Sequence, residues 1–124
     1  MTVLIDSNIW IDYFQASAIG KKAVEYIEGK EKIIISALNI AEVYRHVLSK
    51  RTKEDAEKAA DVLQQFSFII PVTTEIAKKA AVFKHEQKLG MADAIIYATA
   101  EQEHATIITA DNDFRHMQNV VVVK

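Results

Sequence analysis

The sequence contains no cysteine, which removes disulfides, thiolate nucleophiles and thiolate metal sites together. One proline and three glycines in 124 residues leave no linker-like stretch, internal repeat or low-complexity segment. The length fits one domain, residues 1–124, which should bury roughly two-thirds of the surface its extended chain would expose. No apolar run is long enough to span a bilayer, and the start lacks a positively charged leader with a cleavage site, so the expectation is a cytoplasmic protein without a membrane partner. Excess positive charge is missing as well: 15 Lys and Arg against 17 Asp and Glu give a net charge of −2, and no global basic field announces nucleic acid. The four histidines are scattered, so a metal held by this chain would be held by oxygen.

What is present is an alternation of short β-branched runs and longer amphipathic segments. Thr2-Val3-Leu4-Ile5 reads as a buried strand leading directly into Asp6, Ser7 and Asn8, after which Ile9 to Phe14 takes up a helical pattern. A helix over Ala18–Glu28, stopped by Gly29, precedes a second buried strand at Lys32–Ser36. The segment from about Ala37 to Lys50 is expected to be helical, with Ile40, Ala41, Tyr44, Val47 and Leu48 facing inward. Thr52 and Asp55 have the spacing of a cap opening a helix through Phe66, and Pro71 ends a third strand, Phe68–Ile70. A lysine-rich helix over Thr74–Leu89, closed by Gly90, is followed by a helix over Met91–Glu103 that is apolar nearly all round. Thr106–Thr109 and Val120–Val123 complete the strands. Such alternation predicts an α/β fold: a three-layer α/β/α sandwich around a central, mostly parallel sheet of about four to five strands joined by right-handed crossovers.

The acids need individual weighing. Asp6 ends the first strand, at the sheet edge where α/β folds collect ligands, and it is also well placed to cap the helix that follows. Asp93 opens the most apolar helix, where an uncompensated charge costs several kcal/mol, although the helix N-terminus offsets part of that. Asp111 and Asp113 follow the fourth strand in a Thr-Ala-Asp-Asn-Asp-Phe segment whose residue types also make turns. Glu42 falls off the apolar stripe of its helix, and periodicity alone reads it as solvated. Carboxylates gathered at one edge would repel by about 3 kcal/mol per pair at ~5 Å and an effective dielectric near 20, so they raise one another's pKa or require a cation. An all-oxygen set of that kind favours Mg²⁺ or Mn²⁺ over zinc.

Four stretches in order resemble the PIN domain, and specifically the VapC-type ribonuclease toxins of type II toxin-antitoxin pairs: Leu4-Ile5-Asp6-Ser7-Asn8-Ile9-Trp10-Ile11-Asp12-Tyr13, Ile35-Ser36-Ala37-Leu38-Asn39-Ile40-Ala41-Glu42-Val43, Gly90 to Ala100 around Asp93, and Ile108-Thr109-Ala110-Asp111-Asn112-Asp113-Phe114. Each is weak alone, but four in sequence over nearly the whole chain are specific. The resemblance implies a PIN-like fold in which Asp6, Glu42, Asp93 and Asp111 form an acidic catalytic and metal-binding pocket. It also implies that Ser7 and Asn8 shape that pocket, that Thr109 supports the turn at Asp111, and that Asp113 either contributes or only starts a short helix. The implied activity is Mg²⁺- or Mn²⁺-dependent hydrolysis of RNA phosphodiesters, with tRNA and ribosomal RNA as usual substrates of the family. A VapB-type antitoxin and a homodimer are the implied partners. The net negative charge departs from what an RNA-cleaving protein would ordinarily carry, which leaves substrate contact to local basic residues such as Lys50, Arg51, Lys84 and Arg115. Those same clusters also read as ordinary solvated helix faces.

Trp10, Tyr13 and Phe14 share one helix face, suited to core or dimer packing more than to base stacking. Rival readings are a PIN-like module that binds RNA or protein without cutting it, and an RNA-processing nuclease outside any toxin pair. A phosphoacceptor receiver would need an aspartate after the middle strand, where Pro71 stands, and a lysine after the last. A toprim-like nuclease, suggested by the Asp111 and Asp113 pair, would need a glutamate at the end of the first strand.

Overall fold

A computed structural model describes all of residues 1–124. The chain runs β1 (Thr2–Ile5), α1 (Ser7–Phe14), α2 (Ala18–Ile27), β2 (Lys32–Ser36), α3 (Ala37–Lys50), α4 (Lys53–Phe66), β3 (Phe68–Ile70), α5 (Thr74–Gln87), α6 (Met91–Gln102), β4 (Thr106–Thr109), a 3-10 turn (Asn112–Phe114) and β5 (Val120–Val122). The five strands form one sheet in the order β3-β2-β1-β4-β5, and every pairing is parallel. β1 is therefore the centre from which the chain winds outward in one direction and then in the other. The crevice between the carboxyl ends of β1 and β4 is the switch point of the sheet, where side chains following both strands open onto a common space.

The period of two along each strand sorts the core into two layers. Val3, Ile5, Ile33, Ile35 and Ile108 face one side, where they pack with Ile9 and Trp10 of α1, Ala23 and Ile27 of α2, Val43 of α3 and Leu63 of α4. Leu4, Ile34 and Ile107 face the other, against Ile76 and Ala80 of α5, Ala94, Ile96 and Ala98 of α6, and Phe114. Both faces of the sheet are covered, which is why the strands read as unbroken apolar runs. Trp10 is fully buried, donates its indole N–H to the Ile5 carbonyl at 3.1 Å and meets the Tyr13 ring edge-on at 6.3 Å; it belongs to the core.

Three local expectations change. Of the residues expected inward on α3, Ile40 and Val47 pack against the core beside Val43, whereas Ala41 and Leu48 are exposed, and the buried Asn39 with its polar partners takes a place that an apolar stripe does not mark. Gly29 has no positive φ and α2 ends at Ile27. Its lack of a side chain instead permits the Glu25 carbonyl to lie 2.3 Å from where a Cβ would stand. Gly90 does not close α5; that helix stops at Gln87 with Lys88 in the left-handed region at φ 56°, and Gly90 is the N-cap of α6.

Gly20 fixes how α1 and α2 meet, since an added Cβ would lie 2.1 Å from the Asp12 carbonyl oxygen, a backbone atom with nowhere to go. Gly20→Ala is expected to lower stability by about 1–3 kcal/mol, read as a lower urea midpoint at unchanged slope. An unaltered midpoint would show that the two helices do not approach so closely.

Candidate metal centre at the sheet switch point

The site is assembled by short-range polar chemistry at the ends of two strands and the starts of three helices. Asp6 follows β1 and is 6% exposed. Its backbone N–H donates to the Ile108 carbonyl at 2.9 Å, which prolongs the β1–β4 pairing by one residue. One carboxylate oxygen accepts the Ser7 N–H at 2.8 Å and the other accepts the Thr109 hydroxyl at 2.8 Å. Asp6 therefore caps α1, as its position suggested, and opens onto the switch point as well. Thr109 is buried and holds the opposite bank: its Oγ1 also accepts the Asn8 side-chain amide at 3.3 Å and the Asp111 N–H at 3.1 Å. Asn8 completes the bridge by accepting the Ala110 N–H at 3.0 Å.

Glu42 reaches the same place from α3. Its carboxylate accepts the Ser7 hydroxyl at 2.7 Å, and Ser7 in turn accepts the Asn39 side-chain amide at 2.8 Å. The other end of Asn39 accepts the Ser36 backbone N–H at 2.8 Å, while Ser36 Oγ accepts from the Leu38 N–H at 3.0 Å, a reciprocal cap that fixes the start of α3. Asn39 thus ties the helix cap to the site through one fully buried amide. Nothing in the apolar pattern marks it; the Ser36-x-x-Asn39 spacing is the signal that would have found it.

Asp93 lies in the first turn of α6, the one α-helix whose N-cap offers no side-chain hydrogen bond. It is not a cap. It faces Asp111, which caps the 3-10 turn by accepting the Asp113 N–H at 2.9 Å, and Asp113 itself. Carboxylate oxygens of Asp93, Asp111 and Asp113 lie within 4.8 Å of one another. Asp6, Glu42, Asp93 and Asp111 line a single cleft of about 400 Å³ together with Ser7, Asn8, Ile11, Arg45, His46 and Ser49. The tightest grouping is the Asp93, Asp111 and Asp113 triad, with Asp6 and Glu42 on the adjoining wall; Asp113 is exposed and joins the grouping from outside the cleft lining.

No cation of the protein neutralises this set. The three ion pairs in the structure, Met1 with Glu31, Lys58 with Glu54 and Lys79 with Glu101, all lie elsewhere. Burial pushes Asp6 up to about 6 against the lowering effect of its hydrogen bonds from Thr109 and Ser7, with Glu42 and Asp111 adding repulsion. Asp93 is also raised to about 6, first by burial and then by Asp111, Asp6, Glu42 and Asp113. A hard divalent cation fits these residues: the donors are all oxygen, three of them converge within reach of one ion, and the raised values report charge awaiting compensation.

The basic residues singled out in the sequence do not enter this cleft. Lys50 and Arg51 line a separate cavity of about 630 Å³ beside Phe14, Val47 and Lys58. Lys84 donates to the Leu89 carbonyl at 3.3 Å in the loop before α6. Arg115 lines a third pocket that adjoins the acids through Asp93. Arg45 and His46 are the basic side chains on the cleft wall, and their i+3 and i+4 spacing from Glu42 on α3 is the clue the sequence offered. His46 Nε2 is the one buried side-chain polar atom without a hydrogen-bond partner.

The family model for the PIN domain matches residues 3–120. No curated protein matches the sequence. Among solved structures, a toxin-antitoxin complex from Klebsiella pneumoniae is similar over 97% of this chain and 96% of that chain, at 29% identity and a TM-score of 0.81. VapBC2 from Rickettsia felis, bound to a DNA fragment from its promoter, is similar over 98% and 97% of the two chains at 20% identity and a TM-score of 0.77. Mycobacterium tuberculosis VapC20, a sarcin-ricin loop cleaving toxin, is similar over 98% and 99% at 17% identity and a TM-score of 0.77. The latter two likenesses concern the fold. No helix is long and apolar enough to cross a membrane.

The raised aspartates give the metal-free protein a defined pH response. An unfolded aspartate titrates near ~3.9, so between about pH 4 and 6 the folded chain holds protons that the unfolded chain has released. Stability contributed by these two groups is therefore fully present below the unfolded value and is lost as pH rises through about 6. In chelator, the melting temperature should be higher at pH 5.5 than at 7.5, with a gain on the order of 1–3 kcal/mol that shrinks in Asp6→Asn. An equal gain in wild type and variant would show that Asp6 titrates as an ordinary carboxylate.

Proposed function

Since the chain belongs to the PIN-domain family, we propose that residues 1–124 form one catalytic domain, a Mg²⁺- or Mn²⁺-dependent endoribonuclease acting as the toxin of a VapBC-type pair. One observation carries this reading: Asp6, Glu42, Asp93 and Asp111, distant along the chain, meet in one cleft beside Asp113, and none of them forms an ion pair with a protein cation. A non-catalytic RNA-binding module has no use for such crowding, and phosphate would be repelled from it unless a divalent ion were present.

In this reading Asp93, Asp111 and Asp113 hold the ion, and Asp6 and Glu42 complete its surroundings. When bound, the ion supplies positive charge that polarises a water for in-line attack and stabilises the charge developing on the phosphodiester oxygens. The chain's own groups do the positioning. Thr109 and the Ser7 N–H occupy Asp6 from two sides, so its carboxylate cannot turn away, and Ser7 fixes Glu42 in the same manner. Arg45 would offer its guanidinium donors from the cleft wall to the oxygens of the phosphate being cut. The relatives of known structure support an antitoxin partner and, through the sarcin-ricin loop, a ribosomal RNA target; tRNA is the other substrate the family resemblance suggests. A homodimer and a cytoplasmic location complete the proposal.

Cleavage of RNA should appear with Mg²⁺ or Mn²⁺ and vanish with chelator. Asp93→Asn should lower the rate by more than the ~10–100-fold typical of removing a residue that only orients a metal ligand, while leaving the metal-free protein no less stable, because it relieves repulsion. Mn²⁺ at a hundred times its dissociation constant should add about 2.7 kcal/mol, raising the melting temperature by about 10 °C. Cleavage in chelator, or full activity in Asp93→Asn, would remove the metal site from the mechanism.

A further inference from the structure

Beside the acid triad lies a second pocket of about 360 Å³, walled by Gln87, Lys88, Asp93, Asn112, Asp113, Arg115 and His116. It shares Asp93 with the acidic cleft, so the two openings meet at that residue. Its lining brings exposed cations close to the acids. Lys88 and Arg115 line it together with Asp93 and Asp113, yet neither comes within ion-pair distance of a carboxylate. Opposite charges facing a common space without closing on each other leave room for an anion between them.

We propose that this pocket is a subsite for the phosphate next to the scissile one on a single RNA strand. Lys88, Arg115 and His116 take its oxygens, and the amides of Gln87 and Asn112 supply further donors. The inference rests on the ribonuclease reading above and extends it. The strand would lie across Asp93, with the phosphate being cut in the acidic cleft and its neighbour among the cations. Arg115 is suited to bidentate contact with phosphate oxygens, whereas Lys88 acts as a point charge on a flexible stem. Because the interaction is electrostatic and made to the backbone, it holds the strand in register and carries no base preference.

The test compares wild type with Lys88→Gln, Arg115→Gln and the double variant on a fluorescent single-stranded RNA in Mn²⁺, across a range of salt. Glutamine keeps a polar side chain of similar reach while removing the charge. The double variant should raise KM by about tenfold with kcat within about threefold, and its salt dependence should be shallower by about 0.7 in log–log slope for each phosphate that is no longer neutralised. Its Mn²⁺-induced rise in melting temperature should equal that of wild type. A substrate with an uncharged methylphosphonate at the neighbouring position should reproduce the KM penalty in wild type and add little in the double variant. Unchanged KM and slope in a cleaving enzyme would overturn the subsite alone. Loss of the Mn²⁺ shift would overturn it too, by making the pair part of the metal site. A wild type that neither binds nor cuts the RNA would overturn the ribonuclease reading itself, and the subsite with it.

Discussion

Mutual repulsion among carboxylates at the switch point is the constraint to which the surrounding structure answers. At an effective dielectric near 20, two such charges about 5 Å apart oppose each other by about 3 kcal/mol, a large fraction of the stability of a domain this size. Three of the acids bring their oxygens within 4.8 Å, and two more share the cleft. A fold can hold that arrangement only if the elements carrying the acids cannot drift apart. The five-stranded sheet meets the condition: β1 and β4, which deliver Asp6 and Asp111, are adjacent central strands buried on both faces. Burial of both faces is what makes the acidic edge rigid enough to persist without its counter-charge.

The acids are not equivalent in how they are held. Asp6 and Glu42 are anchored by hydroxyls, Thr109 and Ser7, each of which is itself locked by a side-chain amide, Asn8 or Asn39. Asp93 has no such partner, and Asp113 stands exposed at the mouth. Hydrogen-bonded acids lose the freedom to reorient, while unbonded ones keep their oxygens available. That division fits a site in which one group of carboxylates fixes the geometry and another meets the cation, with satisfied polar networks doing what apolar packing does elsewhere in the core.

How much of this could be read from the chain depends on which physical signal each residue leaves. Strands buried on both faces are continuous β-branched runs, so β1, β2 and β4 were legible, and with them the placement of Asp6 and Asp111 at strand ends. Glu42 leaves no such mark. Its link to the core runs through Ser7 and the buried Asn39, which is held by hydrogen bonds, and hydrophobic periodicity cannot see polar positions of that kind. Only the family resemblance drew attention to it. Gly90 misled for a related reason: a glycine after a helix usually supplies the left-handed residue, but here Lys88 adopts that conformation and Gly90 begins the next helix. The cations were legible as clusters, but their assignment to faces depended on where helices end, and Lys50 and Arg51 open onto a different cavity from the acids.

The negative charge of the chain takes on a different meaning once it is located. Five of the 17 acids sit in or beside one cleft, and they outnumber the net charge of −2, so the remainder of the molecule is net positive. A divalent cation bound among them would offset two of those five negative charges and leave a surface on which Lys88, Arg115, Arg45 and the distant lysines act with less opposition. Affinity for a polyanion would then be coupled to occupancy of the site: under the metal-dependent reading proposed above, the same ion would also weaken the local field that repels phosphate. Such coupling needs no conformational change. It follows from placing the acids together at one edge of the sheet and the cations on its flanks.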